Sequence, residues 1–352
     1  MKTRGLPIIT MGLSSILLQI ISLRQLLAVF SGNELDIGIT LSVWLIAVGM
    51  GSYAGHRIKY KHAFAVSFLV VGLLSQPAIL LINLIRPSLP FEFGETIPLT
   101  TTIIATVISL LPLCFVIGLQ FPLAVSHSGG EAAKTYSLEA AGAFIGGIVF
   151  TLLLSGKVDS FALSATISIM NLSIAAYLLR KKYLVALLLV PVIFYFGFRD
   201  INTAPQVKGL QLTERIESRY GEITVLKLGE QFNVYASGRF QFSYPDTQTE
   251  ELRAHLPMAV HPSPSRILVV GGSPSVIGEL LKYPVSGIDF VEMDPKIIDV
   301  SVRLLSEKDR ELLNNKIVRI ITEDARKFIK ALRTPAYDLV ILNLPEPATA
   351  NI

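Results

Sequence analysis

Residues 266–295, RILVVGGSPSVIGELLKYPVSGIDFVEMDP, decide the fold of the second half of the chain. Two short apolar runs, Arg266–Val270 and Gly287–Glu292, are separated here by a helical pattern over Val276–Lys282. Buried strands of parallel sheets read as continuous apolar runs of this length. The alternation continues with a helix over Pro295–Leu305, a strand over Lys316–Ile321, a helix over Ala325–Leu332 and a strand over Tyr337–Leu342. We therefore predict a parallel, doubly wound α/β sheet.

A small β-region precedes this sheet. Short strands are predicted over Ile223–Leu228, Phe232–Ala236 and Phe240–Phe242, with Gly229-Glu230 and Ser237-Gly238 as the turn signals between them. A helix over Thr247–Val260 and then Pro262-Ser263-Pro264 lead into the first parallel strand.

Charge is distributed unevenly along the chain. Of the 352 residues, 51% are hydrophobic and 16% are charged, the mean hydropathy is +0.55 and the net charge is +4. Residues 1–200 hold 13 Lys and Arg and 8 Asp and Glu, whereas the last 152 residues hold 18 Lys and Arg and 19 Asp and Glu. The first part has the composition of membrane helices and the second that of soluble protein. This division excludes a secreted disulfide scaffold, a disordered chain and a single soluble domain, and Cys114 is the only cysteine. The basic excess lies in the apolar part, which argues against nucleic-acid binding.

Apolar stretches long enough to span a membrane recur in residues 1–200. A hydrocarbon core of about 30 Å needs roughly 20 helical residues. We predict such helices over Ile8–Phe30, Leu35–Gly55, Ala63–Ile85, Ile97–Val125, Tyr136–Ser155 and Ser160–Leu179, with a weaker seventh over Tyr183–Phe198. The seventh is short and contains Pro191, and the first carries Arg24 too deep for a cleaved signal peptide.

The lysines and arginines of the short loops indicate which side of the membrane is cytoplasmic. Most of them fall on one side of the predicted bundle, namely Lys2, Arg4, Arg57, Lys59, Lys61, Lys134 and residues 180–182, whereas Lys157 lies on the other side with Asp159. Loops of the opposite side hold acids such as Glu34 and Asp36. Seven crossings would put the soluble part on that opposite side, so we expect a seventh segment that is re-entrant or does not cross.

Two ionisable residues, Arg24 and Glu139, lie inside predicted spans, where charge is costly. One interpretation makes Glu139 a site for a cationic ligand in the membrane plane. The alternatives are a buried Arg24–Glu139 ion pair or an arginine that reaches the interface. Gly142 and Gly146 follow Glu139 at the spacing of a close helix contact.

Glycines and an acid follow the first two parallel strands, where open α/β sheets bind their ligands. Gly271-Gly272 lets a ligand approach the backbone closely before a helix begins. Glu292, in Val291-Glu292-Met293-Asp294-Pro295, suits the two hydroxyls of a ribose. Considered alone, Gly271-Gly272 is typical of a turn, and an acid such as Glu292 at the end of a strand is typical of a helix cap. Their separation of about 20 residues in one strand–helix–strand unit predicts a nucleotide-type ligand.

Two further motifs follow the third and fourth parallel strands. Asp324, in Thr322-Glu323-Asp324-Ala325, suits either an exocyclic adenine amine or the N-cap of the next helix. Asn343-Leu344-Pro345-Glu346-Pro347 lies where an active-site loop is expected.

With these motifs the chain, over roughly Glu217–Ile352, resembles the spermidine/spermine synthase family, aminopropyltransferases with a methyltransferase-like Rossmann fold. The resemblance rests on His261-Pro262-Ser263-Pro264, the Gly-Gly loop, Val291–Pro295, Glu323-Asp324-Ala325 and Asn343–Pro347. Ser31-Gly32-Asn33-Glu34-Leu35 is similar to a stretch in bacterial members with N-terminal membrane helices. The implied location is the bacterial inner membrane, with a multipass bundle and a cytoplasmic soluble domain.

The resemblance also implies a cofactor and its site. The expected co-substrate is decarboxylated S-adenosylmethionine or S-adenosylmethionine, without a metal. The implied cofactor-binding residues are Gly271, Gly272 and Ser273 beside the amino-acid-derived arm, Glu292 at the ribose, and Asp324 with Ala325 at the adenine. Gln241 falls where the family has a glutamine of the substrate pocket, and Asn343 and Glu346 are the implied catalytic residues. Glu346 is expected to hold the acceptor amine and to act as general base.

Several family residues are replaced in this chain. The third loop glycine and the following aspartate, which helps to hold the transferred amine, are Ser273 and Pro274. A Tyr-His-Glu stretch reads Thr249-Glu250-Glu251, the glutamine after Tyr220 is Gly221, and one strand-four acid is Asn343. Glu250 and Glu251 either supply compensating negative charge or face solvent.

The expected domains are a transmembrane domain at 1–200, a β-region at 206–245 and a Rossmann-like domain at 246–352. Because the chain stops just beyond the fourth parallel strand, we expect this last domain to be incomplete at its C-terminus. The partners expected are the lipid bilayer and a polyamine-type substrate, with a homodimer left open. Alternatives to aminopropyl transfer are a degenerate sensor domain that gates a transporter-like bundle, and a methyltransferase with a membrane substrate.

Overall fold

The chain forms two compact units that divide between Val207 and Lys208. The computed structural model describes residues 5–30, 34–90, 97–203, 210–332 and 334–344. The first unit is helical, and the second contains two four-stranded sheets.

The described residues of the first unit form seven α-helices: α1 Gly5–Val29, α2 Glu34–Gly55, α3 Ala63–Ser88, α4 Leu99–His127, α5 Ala132–Val149, α6 Ser160–Leu179 and α7 Leu189–Thr203. A π-helical turn, Phe150–Leu154, continues α5, and a 3₁₀ turn, Lys182–Leu188, precedes α7. Six of these helices, counting α5 with its π turn, are long and apolar enough to cross a membrane by length and composition. The seventh apolar segment, Tyr183–Arg199, is shorter.

Glycines bring α1 and α5 into backbone contact. A Cβ on Gly12 would lie 2.0 Å from the carbonyl oxygen of Glu139, and one on Gly142 would lie 2.0 Å from that of Ile9. The predicted close contact at Gly142 and Gly146 is therefore confirmed, with α1 as the partner helix. The pair α2 and α4 meets in the same way, through Gly51, Gly55 and Gly118.

Arg24 and Glu139 lie at different levels of this bundle. The Arg24 guanidinium lies 5.8 Å from the centre of the Phe150 ring, whereas the backbone of Glu139 lies beside Gly12. Glu139 and Phe150 are eleven residues apart along α5 and its π turn, which corresponds to about 16 Å at 1.5 Å per residue. Of the alternatives considered for these two residues, the Arg24–Glu139 ion pair is thus wrong, because the Glu139 side chain does not span that distance.

The seventh segment runs back along the whole of α6. Its 3₁₀ turn contacts α6, and in α7 the Tyr195 ring stacks on Phe161 at a centroid distance of 5.7 Å, with the tilted Phe194 ring 6.2 Å away. Phe161 is the second residue of α6, and the segment starts just after the last one, Leu179. Whether this segment crosses a membrane stays a prediction.

The second unit begins with an antiparallel sheet in the order β1-β2-β3-β4. Its strands are β1 Gln211–Glu217, β2 Glu222–Leu228, β3 Gln231–Ala236 and β4 Arg239–Tyr244. The turns at Gly229 and Ser237-Gly238 have positive φ, as their residue types predict. Strand β1 was not predicted from the sequence.

A parallel sheet follows, in the order β7-β6-β5-β8. Its elements are α8 Thr247–Val260, β5 Arg266–Val270, α9 Val276–Leu280, β6 Gly287–Glu292, α10 Pro295–Leu304, α11 Glu307–Leu313, β7 Val318–Thr322, α12 Ala325–Ala331 and β8 Leu339–Leu342. The predicted parallel sheet is confirmed, with β5 in an inner position, and α11 is an element that the sequence did not indicate. All four strands end at one edge, which brings the predicted motifs together.

Alternate residues of the inner strands pack on the two faces of this sheet. Val269 and Ile288 belong to the core on one face, and Leu268 and Val291 belong to the core on the other. Asp289 lies on the second face, where it accepts hydrogen bonds from Arg319 and Tyr337. The pKa of Asp289 is lowered: burial alone would raise it, but the bonds from these two side chains outweigh that effect.

Candidate ligand site at the carboxyl edge of the parallel sheet

A cavity of about 580 Å³ opens at the carboxyl edge of the parallel sheet. Five residues predicted from the sequence line it: Gln241, Gly271, Glu292, Asp324 and Ala325. They come from β4 and from the ends of β5, β6 and β7, so the cavity lies between the small sheet and the parallel sheet. Tyr220, Arg239, Met293 and Arg326 also line it and were not assigned from the sequence.

The Glu292 carboxylate lies beside the backbone of Gly271. Gly271 has φ +70°, and a Cβ placed there would lie 3.8 Å from Glu292 Oε2 and 2.9 Å from the Leu344 side chain. Glu292 Oε1 accepts a hydrogen bond from the Asp294 backbone N–H at 2.9 Å. Burial raises the pKa of Glu292, and the backbone N–H groups of Asp294 and Met293 partly offset this. Hydrogen bonds from the hydroxyl groups of a ligand would stabilise a half-buried carboxylate of this kind, because they offset the free-energy cost of its burial.

Asp324 combines the two roles considered for it. Its side chain caps α12 by accepting from the backbone N–H groups of Arg326 at 2.8 Å and Lys327 at 3.2 Å, and these bonds lower its pKa. The residue nevertheless lines the cavity together with Ala325. The N-cap interpretation is confirmed, and the adenine contact stays a prediction.

Gly272 faces Asn343 rather than the cavity. With φ +78°, it lies so close to Asn343 that a Cβ would be 2.6 Å from the Asn343 Cβ. Asn343 is 5% exposed, and its backbone N–H donates to the Val270 carbonyl at 2.9 Å. Its Nδ2 has no hydrogen-bond partner in the part of the chain that the structure describes. An amide at this position is a donor and acceptor but no proton acceptor for catalysis.

Ser273 is buried behind the loop, in a chain of hydrogen bonds that leads to Glu250. Its hydroxyl contacts that of Ser275, which donates to Glu250 Oε1. Glu250 is half-buried, whereas Glu251 is exposed. The solvent-facing alternative is therefore wrong for Glu250 and correct for its neighbour.

Glu346, the predicted general base, lies outside the described residues. Among the described residues no group of three or more His, Cys, Asp or Glu side chains is arranged to hold a metal ion. The site residues that sequence reasoning missed carry weak signals: Arg239 lies two residues before Gln241, and Met293 and Arg326 are neighbours of predicted ligand residues.

Comparison with known proteins matches residues 247–351 to the spermine/spermidine synthase domain. Polyamine aminopropyltransferase 2 of Aquifex aeolicus is 25% identical over 94% of this chain and 70% of its own length. The polyamine aminopropyltransferase of Agathobacter rectalis is 36% identical over 44% of this chain and 55% of its own length. A crystal structure of spermidine synthase in complex with the transition-state analogue AdoDATO is 19% identical, with a TM-score of 0.35, over 39% of this chain and 48% of that one.

The chain spans between 52% and 70% of the length of three curated relatives that it matches. These homologues are polyamine aminopropyltransferases, and the domain match covers the whole parallel sheet with the motifs at its carboxyl edge. The match of residues 247–351 and these homologues confirm the resemblance to the spermidine/spermine synthase family that the sequence motifs indicate.

Proposed function

We propose that this protein transfers an aminopropyl group from decarboxylated S-adenosylmethionine to an amine of the polyamine type. The observation that carries the proposal is the Glu292 carboxylate beside the Gly271 backbone in the wall of the 580 Å³ cavity. A cavity of this volume is typical of sites for small ligands. The names of the relatives in Aquifex aeolicus and Agathobacter rectalis support the same activity.

The adenosyl part of the donor suits the cavity wall. The two ribose hydroxyls would donate to Glu292, which offsets the cost of its burial. Asp324 keeps its carboxylate ionised through the helix N–H groups and would accept from the exocyclic amine of the adenine. The lack of a Cβ at Gly271 leaves room for the atoms around the sulfonium, since a methyl group there would already meet Leu344.

In the reaction, the nitrogen lone pair of the acceptor attacks the carbon next to the sulfonium sulfur. A C–N bond forms, the C–S bond breaks, and its electron pair passes to sulfur, so that methylthioadenosine leaves as a neutral thioether. The new ammonium then loses a proton. The acceptor amine must be unprotonated to attack, and a positioned carboxylate acts as the general base that accepts its proton. On sequence grounds we assign this role to Glu346.

Binding and turnover by the whole chain in detergent test the proposal. Decarboxylated S-adenosylmethionine should bind, and Glu292→Ala should weaken binding by about 10- to 100-fold, as expected when charge-assisted hydrogen bonds are lost. Glu230→Ala, in an exposed turn, is the matched control and should bind as the parent does. Glu346→Gln should keep binding and lose turnover.

Other results would support the alternatives. Tighter binding of S-adenosylmethionine than of its decarboxylated form would favour methyl transfer. Binding without turnover, together with polyamine flux in vesicles that depends on Glu139, would favour the sensor and transporter. Failure to bind either compound ends the proposal.

We also propose that the first unit lies in the bacterial inner membrane and that the second unit lies in the cytoplasm, where the donor and polyamines are made. The six long apolar helices support a membrane location. We expect the loops rich in lysine and arginine on the same, cytoplasmic side, and the orientation of the chain needs a direct measurement.

Cysteine labelling in intact cells provides it. Cys114 is buried and is the only native cysteine, so Cys114→Ala gives a clean background. With a membrane-impermeant maleimide, Lys157→Cys, in an exposed loop of the opposite side, should be labelled, and Lys134→Cys and Glu230→Cys should be protected until the cells are opened. Labelling of Glu230→Cys in intact cells would overturn the proposed location.

A further inference from the structure

The two walls of the cavity differ in charge. The wall formed by the parallel sheet, the parallel-sheet wall, carries the acids Glu292, Asp294 and Asp324. Arg326 lies beside Asp324 on this wall, and its side chain is 90% exposed. The small sheet and its turns form the opposite, small-sheet wall, where Arg239 alone is charged among the described lining residues. The polar lining residues of the small-sheet wall are Tyr220, Ser237 and Gln241.

A tight hairpin positions Arg239 at the cavity. Arg239 is the first residue of β4, and it follows a two-residue turn in which both residues have positive φ, +48° and +75°. Successive side chains of a strand point to opposite faces, so Arg239 and Gln241 share one face of β4, and both line the cavity. Phe240, between them, packs edge-to-face against Tyr235, with ring centroids 5.6 Å apart. Arg239 is thus held by a paired strand.

The acids of the parallel-sheet wall suit the donor rather than the acceptor. Asp294 accepts from the Lys296 backbone N–H at 2.9 Å, and Asp324 caps α12. The proposed function assigns Glu292 to the ribose and Asp324 to the adenine, so the adenosyl part of the donor lies against this wall. A nucleophile that displaces the sulfur attacks the carbon from the side opposite the sulfur. The acceptor therefore approaches from the side of the small-sheet wall.

A simple diamine fits the small-sheet wall poorly. Its second amine would add an ammonium beside the Arg239 guanidinium and the sulfonium of the donor, and like charges that leave water together repel each other. No acid among the described residues of the small-sheet wall offsets this repulsion. A carboxylate on the acceptor would offset it, because a guanidinium binds a carboxylate through two parallel hydrogen bonds. Gln241 donates to the Arg239 carbonyl at 3.3 Å and has a second amide hydrogen that it can donate to the same carboxylate.

We propose that the acceptor is an amine that also carries a carboxylate, such as a diamino acid, and that Arg239 binds this carboxylate. The reaction is the one described above: the side-chain amine of the acceptor forms the new C–N bond, the C–S bond breaks, its electron pair passes to sulfur, and a proton leaves the nitrogen. Arg239 determines specificity in this scheme, since it contacts the acceptor away from the reacting atoms. The inference rests on the proposed aminopropyl transfer and names the class of its acceptor.

The test uses two pairs of acceptors that differ by one carboxylate, ornithine with putrescine and lysine with cadaverine. With the whole chain and decarboxylated S-adenosylmethionine, kcat/KM should be about 10- to 100-fold higher for at least one amino acid than for its diamine. Arg239→Gln should lower kcat/KM for the amino acid by the same factor and leave the diamine unchanged. Arg239→Lys, which keeps the charge without the paired donors, should retain part of the preference. Lys308→Gln removes a positive charge from an exposed position of α11; as the control, it should leave all four values unchanged.

Several results would overturn the inference. If the parent releases methylthioadenosine only with the diamines, or reacts equally with both members of each pair, the inference fails and the proposed function stands. If Arg239→Gln loses the amino acid and the diamine equally, Arg239 stabilises the hairpin and the inference fails. Faster reaction of the diamines with S-adenosylmethionine than with its decarboxylated form would assign the carboxylate to the donor, and the inference would again fail. If the donor binds and no acceptor reacts, the inference is wrong; if the donor does not bind, the proposed function itself is wrong.

Discussion

A methyl group at Gly272 should destabilise the second unit by a predictable amount. Gly272 has φ +78°, a conformation that costs an L residue about 1–2 kcal/mol. Its new Cβ would lie 2.6 Å from the Asn343 Cβ, so that loop and strand must move apart. Overpacking of this kind costs about 1–3 kcal/mol. We therefore expect Gly272→Ala to lower the free energy of unfolding by about 2–5 kcal/mol.

Gly229→Ala separates the two contributions. Gly229 also has positive φ, +58°, but nothing lies within 4 Å of the Cβ position, so only the backbone cost of about 1–2 kcal/mol applies. Urea unfolding of the chain in detergent, followed by proteolysis of the second unit, measures both variants. Equal losses for Gly229→Ala and Gly272→Ala would refute the contact between the loop and Asn343.

A double-mutant cycle tests the same contact from the other side. Asn343→Gly removes the atoms that the new methyl group meets, so Gly272→Ala should cost at least about 1 kcal/mol less in that background. Additive effects would contradict the geometry at the end of β8.

Three further predictions concern charge and helix packing. Glu250→Gln removes a carboxyl whose pKa is raised to about 7, and a raised carboxyl pKa makes the native protein lose stability as the pH rises from about 4.5 to 7. Thermal unfolding should therefore find this variant about 1 kcal/mol more stable than the parent at pH 8, after allowance for partial exposure, and not at pH 4.5. Asp289→Asn should lower the free energy of unfolding by about 1–3 kcal/mol at pH 7. Because the pKa of Asp289 is lowered, this loss should persist to about pH 4 and shrink as the pH falls further. A loss of stability that stays constant in acid would contradict the role of the Asp289 carboxylate. Gly12→Ala should weaken the α1–α5 contact, seen as faster proteolysis in detergent, while Gly49→Ala, with open space around it, should not.

Much of the fold could be predicted because its signals are local. The scarcity of charge before residue 200 indicates helices that bury apolar surface, and the alternation after Arg266 indicates parallel strands with crossover helices. Glycines and acids at strand ends must then meet at one edge, because parallel strands all end on the same side. This argument correctly brought Gly271, Glu292 and Asp324 to one cavity. Strand β1 was not predicted because its charged sequence, QLTERIE, has no strong alternation of polar and apolar residues.

The sequence by itself thus determined the two-part division, the parallel sheet and the edge at which the cavity opens, since periodicity and strand direction suffice for these. Only the tertiary structure decided which side chains act together. Neighbouring residues on a helix point about 100° apart, so the packing of α8 selects Glu250 rather than Glu251 to contact the loop. In the helical unit, helix packing likewise decides that Arg24 and Glu139 lie apart. Backbone contacts at glycines determine how α1 and α5 are aligned along their length, and this alignment puts Glu139 beside Gly12 and Arg24 beside Phe150. Distances between elements arise from packing, and no local pattern along the chain encodes them.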